Sequence, residues 1–458
     1  MAIATVNPTT GKTEMIIEPH SAEEVDERIG QAHAAFEELR GTTFEQRARW
    51  MRAAADFLED QAEGIGELIT VEMGKPIAQS VAEVRKAVKA MRFYAENSAD
   101  FLADAPLEEP ARVGASAAYS KYEPLGVVLA VMPWNYPIWQ VVRFAAPALM
   151  AGNAGLLKHA SNVPQAAMLL DDLFERGGFP KGSFRTLLIG GAEVARVIAD
   201  ERVAAVTLTG SEAAGRSVAA AAGDHLKKAV LELGGSDPFI VLPSADIAAA
   251  ADTAVTARIN NNGQACIAGK RFIVHDDVYD EFAAEFVRRM SELVVGDPLR
   301  PETQVGPVAT EQGRQDLIDL VEDARAKGAT ILTGGEPVEG QGWFFAPTVI
   351  ADLPDDARLV QEEAFGPLAS LYRAVDADDA LRIANQTAFG LASAVWTEEP
   401  AEQERFTREL DAGAVFINGM TVSYQELPFG GIKRSGFGRE LAEVGQREFC
   451  NLKTVWKA

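Results

Sequence analysis

The sequence predicts an α/β protein built on two doubly wound parallel sheets. From residue 124 onward, short apolar, β-branched runs alternate with Ala-rich helical segments, the pattern of strand–helix–strand crossovers. Near 231 a second block of the same texture begins, and 458 residues suffice for two or three domains.

The elements follow in order. Residues 21–105 carry Ala, Glu and Arg at helical spacing, as in "FEQRARWMRAAADFLEDQAEGIGELITVEMG", and predict a run of helices. Residues 113–123, "VGASAAYSKYE", alternate weakly and predict a strand or hairpin. The runs "GVVLAVM", "AGLLKHA", "FRTLLIG" and "VAAVTLTG" predict the first set of parallel strands. "PFIVLP", a helix, "KRFIVH", a helix over 276–294, then "ATILTGG", "LASLYRA" and "GAVFING" predict the second. The tail "EFCNLKTVWKA" predicts a terminal strand.

Composition narrows the function. The chain is 47% apolar and 24% charged, with a net charge of −24. Such a field repels nucleic acid and anionic membrane, so neither is an expected partner. The stretch "PLGVVLAVMPW" is too short to span a bilayer and reads as a buried strand. The start, "MAIATVNPTTGKTEM", lacks a basic-then-apolar signal pattern. Two distant cysteines make no disulfide network, and five scattered histidines make no zinc site. The expectation is a cytoplasmic protein without a metal.

Two stretches are candidates for binding a dinucleotide. In "AAVTLTGSEAAGRSV" a strand turns through Gly210-Ser211 into a helix, which points free amides and a positive dipole end outward. That suits a pyrophosphate, or it is a plain helix start; no G-x-G-x-x-G follows a strand anywhere. In "LLKHASNVP", Lys158 follows a strand and Ser161 lies three residues on. No carboxylate stands nearby to repel a 2′-phosphate, which favours NADP over NAD, with NAD still admissible. Lys158 is equally readable as a solvated strand end.

Three residues are candidates for chemistry. Cys266 in "NNGQACIAG" is either a packed spacer or a nucleophile. Glu232 in "VLELGGSDPFIV" sits between leucines before a Gly-Gly turn, where apolar surroundings raise a carboxyl pKa toward that of a general base; a solvated strand end is the alternative. Asn135, in the Pro-punctuated "VMPWNYP", is either an oxyanion donor or a turn former.

With "PWNYP", "GNAGLLKHAS", "LTGSEAAG", "LELGGSDP", "NNGQACIAGKRF", "EEAFGP" and "PFGGIKRSGFGRE" in this order, the chain resembles the aldehyde dehydrogenase superfamily over essentially its full length. The resemblance implies Cys266 as nucleophile, Glu232 as general base and Asn135 as oxyanion donor. It places Trp134, Lys158, Ser161, Gly210, Ser211, Glu363 and Phe365 at the cofactor, Glu363 on the nicotinamide ribose and Phe365 beside the nicotinamide. The implied division is a cofactor domain (1–110 and 127–230), a catalytic domain (231–425) and a small β oligomerisation element (111–126 and 426–458), in a homodimer or homotetramer.

The stretch "NYPIWQVVRFAAPALMAGNAGLLKHASNVPQ" is most similar to the NADP-preferring bacterial subgroup that oxidises succinate semialdehyde. In that subgroup an Arg past the oxyanion Asn holds the substrate carboxylate, and Arg143 is the matching position. It lies eight residues past Asn135, about two helical turns, so both are expected to face one channel. Trp139 and Ser423 are further substrate candidates. Other aliphatic aldehydes are the alternative substrates, and a non-catalytic dinucleotide-binding protein the alternative class. Two departures stand out: His159 follows the cofactor lysine where most relatives have proline, and Ala265 before Cys266 leaves that thiol without a disulfide partner in its loop.

Overall fold

A parallel strand needs a long crossover before its neighbour, and after each apolar run the chain supplies a helix for it. The computed structural model describes residues 2–458. The first sheet has the order Gly436–Phe437, Lys228–Glu232, Val203–Thr209, Val127–Val131, Ala154–Lys158, Phe184–Thr186. All its pairings are parallel except that of Gly436–Phe437. From Val127–Val131 the chain winds outward through Ala154–Lys158 to Phe184–Thr186, then returns to build on the other side. Val127–Val131 is therefore the strand where the winding reverses, and ligands of such sheets sit in the crevice beyond that point. Its next residues are Met132, Pro133, Trp134 and Asn135; those after the neighbouring Val203–Thr209 are Gly210 and Ser211.

The second sheet runs Thr330–Thr333, Thr348–Ala351, Leu368–Ala374, Gly269–His275, Asp237–Val241, Ser393–Trp396, Val415–Ile417. Only the Thr330–Thr333 edge is antiparallel. A small antiparallel sheet joins Ala105–Pro106, Ala117–Pro124 and Cys450–Lys457. The fold class is thus as the sequence predicts, two parallel sheets and a small β element. The tail segment 426–458 does more than bridge, because Gly436–Phe437 extends the first sheet.

The predicted helical run is four helices, Ala22–Leu39, Phe44–Asp60, Ala62–Met73 and Ile77–Phe101. Ser21 and Thr43 open the first two with capping boxes. The expected strand at 113–123 begins at Ala117; Pro110–Val113 form a 3-10 turn closed by Gly114 at φ +69°, a conformation glycine adopts freely. The hairpin Ile3–Asn7 with Lys12–Ile17, and the strands Lys228–Glu232, Thr348–Ala351 and Ser393–Trp396, add to those read from sequence. Among the described residues, no helix is long and apolar enough to cross a membrane.

One buried ion pair locks the long helix Ile77–Phe101 to the crevice. Lys75 and Glu83 pair with side chains at most 1% exposed. The other Glu83 oxygen, Oε1, accepts from the backbone N–H groups of Ile138 and Trp139, each at 2.9 Å. Those amides open the helix Trp139–Ala151, so Glu83 supplies the cap that Ile138, an apolar residue, cannot. The Lys75 ammonium lies 3.9 Å from the Tyr136 ring centre, next to Asn135. Glu83→Ala leaves a buried ammonium and two buried amides unpartnered. It is expected to cost about 3–5 kcal/mol in urea unfolding, whereas substitution of the exposed Glu63 of the Arg85–Glu63 pair costs under about 1 kcal/mol.

Candidate active site

The loop before Cys266 is held in a shape few sequences tolerate. Asn261, Asn262 and Gly263 have successive φ values of +56°, +56° and +74°. Asn visits this region more readily than other side-chain-bearing residues, and Gly263 has a second reason to be glycine. A Cβ there would lie 2.2 Å from the Gly366 carbonyl oxygen. Buried amides fix the turn. Asn262 Nδ2 donates to the Gly74 and Pro307 carbonyls at 2.8 and 3.0 Å. Asn261 Nδ2 donates to the Asn135 carbonyl at 2.7 Å, and Asn135 Nδ2 to the Gln264 carbonyl at 2.9 Å. The oxyanion candidate and the cysteine loop are therefore one hydrogen-bonded unit, although they are about 130 residues apart.

Two cavities meet at Cys266. One, of about 290 Å³, opens from the crevice of the first sheet and is bordered by Trp134, Asn135, Gly210, Ser211, Glu363 and Phe365 among others. The other, of about 200 Å³, includes Lys86, Trp139, Arg143, Ser423 and Phe429 in its wall. Trp134 and Phe365 stand edge to face, centres 5.7 Å apart, as a pair of aromatic walls. Lys270 Nζ donates to Glu363 Oε1 and to the Cys266 carbonyl, both at 2.6 Å, tying the two sides together. Gly210-Ser211 opens the helix Glu212–Asp224, with Ser211 as its cap. Lys158 and Ser161 lie outside both cavities, farther along the same sheet edge; the Ser161 carbonyl accepts from Ala4 at 2.9 Å. Burial lowers the Lys158 pKa, and no ion pair within the described residues offsets it.

Glu232 ends the strand Lys228–Glu232, level with Thr209 on one side and Gly436 on the other. It is 1% exposed, and neither carboxyl oxygen has a hydrogen-bond partner. Burial, and next the neighbouring Glu440, push its pKa well up, with Arg143 opposing. Burial also pushes the Cys266 thiol up to about 12, Lys270 and Arg143 pulling the other way. Burial thus favours the neutral form of both groups.

Arg143 reaches the smaller cavity by another route than sequence spacing suggests. Asn135 precedes the helix Trp139–Ala151, so no two-turn helical repeat links the two. The arginine is 2% exposed and already engaged. It ion-pairs with Glu440, donates to Thr209 Oγ1 at 3.3 Å and lies with its guanidinium 4.7 Å from the Phe429 ring centre. Lys86, Glu440, Asn261 and Lys270 escaped the sequence reading. Glu440 and Lys270 lay inside quoted motifs, whereas Lys86 is one lysine on a helix with many charges. His159 is buried; its Nδ1 accepts from Ala160 and its Nε2 therefore donates to the Pro137 carbonyl at 2.9 Å, bracing the two loops of the crevice.

The chain belongs to the aldehyde dehydrogenase family, whose family model matches residues 1–455. It is 60% identical over 457 residues to a Mycobacterium ulcerans protein named succinate-semialdehyde dehydrogenase (NADP+) 1, with 100% of each chain covered. A Mycobacterium tuberculosis protein of the same name is 59% identical over 458 residues, again covering 100% of both. The crystal structure of a succinic semialdehyde dehydrogenase from Streptococcus pyogenes in complex with NADP+ matches at a TM-score of 0.96, with 34% identity over 99% of each chain.

Because the resting thiol is protonated, alkylation of Cys266 by iodoacetamide in the free protein is expected to rise about tenfold per pH unit above neutrality without levelling near pH 8. Cys266→Ser supplies the background from Cys450. A plateau below pH 8 would mean a thiolate already formed.

Proposed function

We propose that the protein oxidises succinate semialdehyde to the dicarboxylic acid, with NADP as the preferred hydride acceptor. The observation that carries this reading is the position of Cys266 where two cavities meet, one fit for a dinucleotide and one bearing cations. The first cavity has the free amides of a helix start at Gly210-Ser211, a carboxylate at Glu363 for a ribose and aromatic walls at Trp134 and Phe365. Lys158 and Ser161, with no adjacent carboxylate, suit a ribose carrying a 2′-phosphate. The cofactor, when bound there, supplies the hydride-accepting ring.

The chain's own residues do the rest. The Cys266 thiol gives up its proton to water, and the sulfur adds to the aldehyde carbon, so that the carbonyl oxygen becomes the oxyanion of a thiohemiacetal. Asn135 Nδ2, held by Gln264 through one hydrogen, has its second free to donate to the oxyanion, worth about 3 kcal/mol of barrier. Loss of hydride leaves a thioester on Cys266. Glu232, buried and without hydrogen-bond partners, takes a proton from water, and the hydroxide releases the acid. Its raised pKa makes this step faster as pH rises, since the base form grows. The second cavity, with Lys86 and Arg143, favours an aldehyde ending in a carboxylate and disfavours a cationic one.

This reading includes the domain division given above, a cytoplasmic setting suited to two free cysteines, and self-association through the small sheet. Its edge strand Cys450–Lys457 leaves Leu452 and Trp456 exposed, a surface that asks for a partner. Light scattering is expected to give a dimer or tetramer.

Kinetics with an aldehyde panel tests the substrate. Succinate semialdehyde is expected to exceed butanal in kcat/KM by at least about tenfold; equal values would point to another aliphatic aldehyde. Comparing KM for NADP and NAD in wild type and in Ser161→Glu tests the cofactor, and the variant is expected to lose its NADP preference. Glu232→Gln is expected to give a burst of about one reduced cofactor per site, then turnover slowed about 10²–10⁴-fold.

A further inference from the structure

Three parts of the site meet on one buried lysine. Lys270, the second residue of the strand Gly269–His275, is 2% exposed. Its Nζ donates to the Cys266 carbonyl and to Glu363 Oε1, each at 2.6 Å. The first contact closes the lysine's own loop; the second crosses to the segment after the helix Arg358–Gln361. Both acceptors rest on the turn that follows Glu232. A Cβ at Gly234 would collide with Glu363 Oε2, and one at Gly235 would lie 2.8 Å from the Cys266 carbonyl oxygen. The two glycines thus leave the space that the bridge fills. Asp237, level with Gly269 on the neighbouring strand, is another carboxyl near the lysine, but its Oδ1 accepts from the Ala392 N–H at 3.1 Å. At the start of the nucleophile loop the buried Arg258 donates to the Gly263 carbonyl at 2.6 Å. The loop from Gly263 to Cys266 is therefore gripped at each end by a cation, and both cations interact with Glu363.

We propose that Lys270 is a positioning residue: it joins Glu363 to the nucleophile loop across the Gly234-Gly235 turn, and so fixes the spacing between the carboxylate that holds the cofactor ribose and the sulfur that holds the substrate. This rests on the reading of Glu363 as the ribose ligand. For hydride to pass, the substrate carbon bonded to Cys266 and the ring placed by Glu363 have to approach closely. A misplacement of about 1 Å between such groups costs about 10²-fold in rate. Cys266 and Glu363 both lie outside helices and strands, so side chains have to set their spacing. An ammonium suits the task, since its three donors serve a carbonyl and a carboxylate at once. Lys270 lines neither cavity and acts through its two partners.

The test compares Lys270→Met, Lys270→Arg, Glu363→Gln and the double variant of Lys270→Met with Glu363→Gln against wild type. Lys270→Met is expected to lower kcat about 10- to 100-fold while KM for succinate semialdehyde stays within about threefold. The deuterium isotope effect from aldehyde-deuterated substrate is expected to grow in that variant, since hydride transfer becomes the slow step. In the free protein, alkylation of Cys266 at pH 8 is expected to slow about tenfold, because the sulfur loses a cation that favours its charged form. Lys270→Arg recovers part of each loss. Glu363→Gln weakens NADP binding about tenfold by titration calorimetry, and the double variant loses less in kcat than the product of the two single losses. Lys270→Gln is read against the same outcomes should Lys270→Met not fold. If Glu363→Gln weakens NADP binding but the Lys270 variant keeps kcat and alkylation near wild type, the lysine only supports the fold; the proposal falls and the reading of Glu363 stands. If the single losses multiply, the two residues act apart and the proposal falls. If Glu363→Gln binds NADP as wild type does, the reading of Glu363 fails and this proposal with it.

Discussion

The buried Lys75–Glu83 pair is the constraint on which the site depends. A carboxylate in the interior is costly unless its lone pairs are used, and Glu83 uses them on one ammonium and two helix-opening amides. Because those amides are Ile138 and Trp139, the pair fixes where the helix carrying Trp139 and Arg143 begins. It also fixes the preceding loop, with Asn135 and Tyr136. Lys86 is three residues beyond Glu83 on the same helix, so nearly one turn separates the structural lock from a lysine that lines the smaller cavity beside Cys266.

Charge organises the chemistry in the same way. Glu232, Glu440, Arg143 and Cys266 are all buried or half-buried within one polar island. Two acids lie near one arginine: Arg143 pairs with Glu440, and burial together with that second carboxyl raises the Glu232 pKa. A similar link holds beside the larger cavity. Lys270 joins Glu363 to the cysteine loop, so a group gripping Glu363 is mechanically linked to the carbonyl of Cys266. Burial raises the Cys266 thiol pKa, with Lys270 and Arg143 pulling the other way.

Much of this was legible in the chain. The apolar runs that became Val127–Val131, Ala154–Lys158 and Gly269–His275 are long, β-branched and bounded by Gly or Pro, so their period and punctuation agree. Strands of four or five residues such as Ser393–Trp396 and Lys228–Glu232 give too short a pattern to separate from a loop. Cys266, Glu232 and Asn135 sit in punctuated motifs with a chemical reason for each residue type. Lys86 has no such mark: its local sequence, "EVRKAV", is that of any solvated helix face. Only the packing of that face against the helix Trp139–Ala151 turns it inward.

The sequence by itself determined the winding of the sheets, the presence of one loop cysteine with small neighbours, and the family to which the chain belongs. These depend on local periodicity, turn chemistry and residue type, which are properties of consecutive residues. The tertiary structure decided the pairing of charges. Whether Arg143 is free or spent, whether Glu232 is hydrated or dry, and whether Lys86 faces open water or a cavity all depend on groups hundreds of residues away. An ion's energy is set by the charges and water within a few ångströms of it, and sequence distance carries no information about that shell.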